Sequence, residues 1–121
     1  MTGAQLQGAY VSGKLDLSFA TAKGMTRLIN CRFDEDVVAL QARFEFLNLS
    51  GSHLPGLNAQ GATVTGNVFL RGGFTAEGEV SLSGAQIGGQ LNCDGGHFSN
   101  ANGDALNAQK LVVDEWIWRK V

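Results

Sequence analysis

The sequence predicts an all-β fold: a quadrilateral parallel β-helix, a solenoid in which the chain winds through about five four-sided coils. Apolar residues recur in blocks of about five to eight, and taking the blocks in fours gives four columns that scarcely drift. Successive anchors within a column lie about 19 to 24 residues apart, which suits one β-helical turn and is too short for paired-helix repeats. Stretches such as Gly8-Ala9-Tyr10-Val11-Ser12-Gly13-Lys14-Leu15-Asp16-Leu17 alternate with period two, placing Ala9, Val11, Leu15 and Leu17 on one side of the chain. A helix would need period 3.6. The 17 glycines gather near the turns between sides, where positive φ or close approach of coils excludes a Cβ.

Taken in order, the first coil anchors on Leu6, Val11, Leu17 and Ala22, and the second on Leu28, Phe33, Leu40 and Phe44. The third anchors on Leu49, Leu54, Ala59 and Val64; the fourth on Leu70, Phe74, Leu82 and Ile87; the fifth on Cys93, Phe98, Leu106 and Leu111. Ile117 then restarts the first column. Two residues before each anchor lies a second inward position, and beside the fourth column it reads Ala20, Ala42, Ala62, Ala85 and Gln109. Each coil buries its apolar face only by stacking on its neighbours, so the columns are the core.

At 121 residues the chain is a single β-helix domain over 1–121, or a fragment of a longer repeat protein. A hydrophobic content of 44% supports a continuous core and argues against disorder. A net charge of −2 provides no basic footprint for a nucleic-acid backbone, so no nucleic-acid partner is expected. No apolar run approaches the roughly 18 residues of a membrane span, and the N-terminus lacks a charged-then-apolar signal region. A cytoplasmic protein with no membrane contact from this segment is expected. The columns place Cys31 and Cys93 about three coils apart, roughly 14 Å, beyond the reach of a disulfide. Both read as small buried hydrophobes. His53 and His97 each precede a second-column anchor and point outward on the same side, about two coils apart, too far to share a metal ion.

Extra residues collect at the corner between the second and third columns, in Phe33 to Leu40, Phe74 to Leu82 and Phe98 to Leu106. These loops carry Asp34, Glu35, Asp36, Glu77, Glu79 and Asp104, six of the eleven acidic residues, and stacking should align them into an acidic ridge. The ridge is a candidate interaction surface, although loops are commonly polar. The run Ser99-Asn100-Ala101-Asn102-Gly103-Asp104 resembles a Gly- and Asp-rich calcium turn but occurs once, where such turns repeat in tandem. The pairs Gly72-Gly73, Gly88-Gly89 and Gly95-Gly96 precede neither a Gly-Lys-Ser/Thr run nor a helix, so they read as corners and not as phosphate cradles. No Ser/His/Asp arrangement, inward carboxylate pair or metal-ligand spacing is present, and the chain is expected to be no enzyme and to hold no cofactor. Trp116 and Trp118 flank the inward Ile117, are expected to point outward, and are the second candidate interaction surface; Arg119 and Lys120 should blunt that coil end.

The four columns, with Ala two before the anchor, resemble the pentapeptide-repeat proteins, whose units read Ala-Asp/Asn-Leu-x-x. The matching units are Ala4-Gln5-Leu6-Gln7-Gly8, Ala9-Tyr10-Val11-Ser12-Gly13 and Ala85-Gln86-Ile87-Gly88-Gly89. The resemblance covers about residues 4–117 and implies a right-handed coil. The segments Lys14-Leu15-Asp16-Leu17-Ser18, Leu49 to Leu57 and Gly78 to Leu91 are similar to a bacterial repeat family whose longer members are often labelled membrane-associated oxidoreductases; no redox site is present to support that activity.

The expected function is therefore that of a non-catalytic scaffold, a rigid rod binding an unidentified protein partner, or itself as a homodimer through the C-terminal coil. One alternative, implied by the pentapeptide-repeat resemblance, is a DNA mimic acting on a topoisomerase such as gyrase; nine Lys and Arg spread over the faces weaken it. Another is a ligand-binding, cation-binding or catalytic domain using the long-loop corner.

Overall fold

Period-two alternation broken by frequent turns leaves short strands that can bury one face only by pairing with the coil above and the coil below. The computed structural model describes residues 5–118, and every regular element among them is a β-strand. The strands form four parallel ladders, one for each side of a β-solenoid of about five turns. Side one stacks Gln5–Gln7, residues 26–29, 47–48, Val68–Phe69, 91–92 and 116–117. Side two stacks Tyr10–Val11, Arg32–Phe33, His53–Leu54, Thr75–Ala76 and His97–Phe98. Leu15–Asp16, Val37–Val38, Leu57–Asn58, Val80–Ser81 and Leu106–Asn107 build side three. Side four stacks residues 21–22, 43–44, Thr63–Val64, 86–87 and 112–113. The long strands Thr21–Ile29, Arg43–Asn48, Gln86–Asn92 and Val112–Ile117 bend from side four into side one, so those two sides merge into one seven-stranded sheet.

The core is the stack of inward side chains. Arg27 pairs with Asn48, Asn48 with Phe69 and Phe69 with Asn92, so the next residues, Leu28, Leu49, Leu70 and Cys93, form the expected line. Each is at most 1% exposed. Ala22, Phe44, Val64 and Ile87 form a second line as expected. Cys31 and Cys93 are both buried with free thiols.

The ladders correct assignments on each of the four sides. Side two aligns Leu54 with Ala76 and Ala76 with Phe98, so Ala76 and not Phe74 stands in that column. Phe74, fully buried, occupies the inward position two residues earlier and stacks its ring 5.3 Å from Phe98. On side three the pairings place Ala39 and not Leu40 between Leu17 and Ala59, and Ala108 beneath Leu82. Val113 pairs with Ile87, so Val113 replaces Leu111 in the fourth column, and Leu111 rather than Gln109 continues the alanine column. The last correction falls on the final strand. Two residues, Gly88 and Gly89, stand opposite the single Asp114, and the bulge advances the register: Leu91 pairs with Trp116 and Asn92 with Ile117. Trp116 and Trp118 therefore continue the inward columns, and Ile117 lies between them.

Corners follow from backbone chemistry. Between sides three and four each coil makes a four-residue turn closed by an i to i+3 hydrogen bond, from the N–H of Ala20, Ala42, Ala62, Ala85 and Leu111. Its third residue takes positive φ in every coil: Phe19 (62°), Gln41 (50°), Gly61 (67°), Gly84 (69°) and Lys110 (58°). Only Gly61 and Gly84 meet this requirement without steric cost. At several corners an Asx turn adds a cap: Oδ1 of Asn48, Asn58, Asn92 and Asn107 each accepts the N–H two residues on. Asp16 does the same with Ser18, and the Ser18 hydrogen bonds hold its carboxyl below the usual aspartate range.

Candidate interaction surface

A solenoid repeats its outward positions at the strand spacing of about 4.8 Å, so each side presents straight files of side chains. On side two the register aligns Tyr10, Arg32, His53, Thr75 and His97 in one outward file. Thr75 separates the histidines, which lie two coils apart as the spacing predicts. The file borders the corner between sides two and three, whose loops span residues 12–14, 34–36, 55–56, 77–79 and 99–105. Only the fifth-coil loop is long; the two other extended loops expected from the sequence vanish once Ala39 and Ala76 are seated in their columns.

All six acidic candidates, Asp34, Glu35, Asp36, Glu77, Glu79 and Asp104, lie at this corner. They do not form an unbroken ridge. By register Pro55 stands between Asp34 and Glu77, and Gly56 between Asp36 and Glu79. The second and fourth coils thus carry five of the six carboxylates and the third carries none, which separates those two acidic groups by about two coils, close to a Debye length in physiological salt; Asp104 lies in the fifth coil, next to the fourth. Packing here is tight: a Cβ on Gly78 would lie 2.6 Å from the carbonyl oxygen of Pro55, and one on Gly56 would lie 2.9 Å from that of Glu79.

Between the file and the loops lies an open depression of about 610 Å³ lined by Tyr10, Arg32, His53, Asp34, Asp36 and Glu77, with Asn100 and Asn102 at its fifth-coil end. Tyr10 is 66% exposed, and its hydroxyl lies 3.5 Å from Asp34 Oδ1. Glu35, Glu79 and Asp104 share the corner but do not line the depression. Tyr10 and Arg32 were not singled out from sequence, yet the signal was available: each precedes a second-column anchor, as His53 precedes Leu54. In the fifth-coil loop, Asn100 Nδ2 donates to the Asp104 carbonyl at 2.8 Å while its Oδ1 accepts the Asn102 N–H at 3.0 Å. These polar atoms are turned on one another instead of converging on a cation position. Among the described residues no three His, Cys, Asp or Glu side chains cluster as metal ligands would.

The other candidate surface is the C-terminal coil. Trp116 and Trp118 are 41% and 48% exposed, stacked with ring centroids 6.4 Å apart. They lie over the end of the core, not on its flank: Trp118 meets the Phe98 ring at 5.0 Å, and the Trp116 indole lies beside the Cys93 thiol. Burial pushes the Cys93 thiol up to about 11, and this indole contact and the nearby Asp94 charge are lesser influences. Arg119 and Lys120, expected to blunt this end, lie outside the described residues, as does Ala4 of the first repeat unit. Among the described residues no helix is long and apolar enough to cross a membrane. Compared with protein-family models, with curated proteins and with solved structures, the chain matches none.

Proposed function

We propose that the chain is a non-catalytic interaction scaffold of the pentapeptide-repeat-like kind, a rigid β-helical rod that receives a protein partner at the corner between sides two and three. The observation that supports this reading is the depression in which exposed Tyr10 and Arg32 stand beside Asp34, Asp36 and Glu77. Tyr and Arg carry a disproportionate share of binding energy at protein interfaces, and carboxylates beside them add charge selectivity. Residues fixed on stacked strands lose little freedom on binding, which favours recognition by a preformed surface. The test is site-specific photocrosslinking from position 53 in extract of the source cells, with the captured protein identified by mass. A single partner whose capture is lost in Tyr10→Ala/Arg32→Ala, with melting unchanged, supports the proposal. Capture that survives the double substitution overturns it.

A second reading, self-association through the C-terminal coil, is favoured by the exposed Trp116–Trp118 stack, because large aromatic surface is commonly covered in an assembly. Sedimentation at high micromolar concentration should show a dimer for the unmodified chain and a monomer for Trp116→Ser/Trp118→Ser. Monomers in both would end this reading. Gyrase supercoiling should be unaffected by the protein, since carboxylates interrupted at Pro55-Gly56 offer no continuous duplex-like charge.

A further inference from the structure

We propose that Asn102 is a site of spontaneous covalent modification, at which deamidation through a cyclic imide adds a carboxylate to the lip of the corner depression. Chemistry and geometry converge on this residue. The chain has eight asparagines, and Asn102 alone precedes a glycine, the residue that least obstructs attack by the following backbone nitrogen. Asn102 and Gly103 are both exposed, in the long fifth-coil loop 99–105, and surface loops are in general more mobile than the strands they join. Neither the Asn102 side chain nor the Gly103 N–H makes a hydrogen bond among the described residues.

The other asparagines are held differently. Oδ1 of Asn48, Asn58, Asn92 and Asn107 is engaged in the corner Asx turns, Oδ1 of Asn67 accepts the Gln90 N–H at 2.8 Å, and both polar atoms of Asn100 brace the loop itself. Asn30 has a free amide, but the nucleophile that would follow it, the Cys31 N–H, is buried and donates to Ser52 Oγ. In the proposed step the Gly103 nitrogen, losing its proton to solvent base, attacks Asn102 Cγ. A carbon–nitrogen bond forms, the side-chain nitrogen leaves as ammonia, and water then opens the imide at either carbonyl. The product is aspartate or isoaspartate at position 102.

The new carboxylate takes the formal charge from −2 to −3, one unit more negative, beside Asp104 and on the depression already lined by Asp34, Asp36 and Glu77. Like phosphorylation, it is a charge-changing event at a surface, here without an enzyme. Gly103 also provides a clean control. Its φ is not in the left-handed region, and the nearest atom to an added Cβ is Asn100 Nδ2 at 3.7 Å, so Gly103→Ala should fold normally.

The experiment is incubation of the intact protein at mildly alkaline pH, followed by ion exchange, peptide mass mapping and isoaspartate labelling with a carboxyl methyltransferase. An acidic variant that grows with time, carries its mass gain and label on the Asn102 peptide, and is largely lost in Gly103→Ala is the expected result. An intact Asn102 peptide overturns the proposal. So does an acidic variant of equal size in Gly103→Ala, or earlier modification of another asparagine.

Discussion

Leu6 and Leu49 stand in the same column on the same side of the coil, yet Leu6 is 43% exposed and Leu49 is 1%. Nothing in either residue distinguishes them. Leu49 has described strands both above and below it, at Leu28 and Leu70, whereas Leu6 is the first described member of its column and is paired only with Leu28. In a solenoid, burial belongs to the neighbours, so stability should fall from the central coils toward the outermost ones.

The sharpest test of that gradient is truncation along one column. Leu49→Ala leaves a cavity in a stacked core and should lower stability by about 2 to 5 kcal/mol, while Leu6→Ala should cost less than about 1 kcal/mol. Equal melting shifts would show that the first described coil is as firmly seated as the third. Alkaline titration probes the other end. Cys93 has a folded pKa of about 11 against an ordinary value of 9.0, so its neutral thiol stabilises the fold fully below pH 9. That contribution declines as pH rises from 9 toward 11, because only the unfolded thiol ionises there; at most about 2 to 3 kcal/mol is at stake. A Cys93→Ala variant should show a flatter loss of stability across this window. Matching slopes would mean that the tryptophans admit water to the thiol.

Tight and loose corners offer a finer contrast. Gly78→Ala drives a Cβ against the Pro55 carbonyl and should cost about 1 to 3 kcal/mol, whereas Gly103→Ala in the fifth-coil loop should change stability by less than about 0.5 kcal/mol. A well-tolerated Gly78→Ala would mean that the central corners yield as easily as the long loop. The smallest expected effects are at the exposed carboxylates: Asp34→Asn, Asp36→Asn, Glu77→Gln and Glu79→Gln should each shift stability by less than about 0.5 kcal/mol. If these same substitutions alter partner capture, the acidic corner works in recognition and not in folding.

Period-two alternation with a column spacing near one coil was legible in the residues because turn chemistry and core packing both act locally: glycine at Gly61 and Gly84, asparagine at Asn58 and Asn107, and an apolar residue at most inward positions. That was enough to determine an all-β solenoid, its side-one line of Leu28, Leu49, Leu70 and Cys93, and the corner that collects the acidic residues. Register within a coil is another matter. Each short strand offers two inward positions two residues apart, and either can hold an apolar side chain, so Leu106 against Ala108, Leu111 against Val113 and Phe74 against Ala76 are ambiguous by pattern alone. The ladders seat Ala76, Ala108 and Val113, and because a slip of two residues keeps the strand's hydrogen-bonding phase, the turns at each strand end and the stacking of whole coils decide among them. The bulge at Gly88-Gly89 turns Trp116 and Trp118 onto the end of the core, and alignment across coils alone brings Tyr10 to Asp34 and both Tyr10 and Arg32 to Glu77. These placements join residues about 22 to 70 positions apart in the chain, a separation at which local pattern has no influence and only the stacking of whole coils acts.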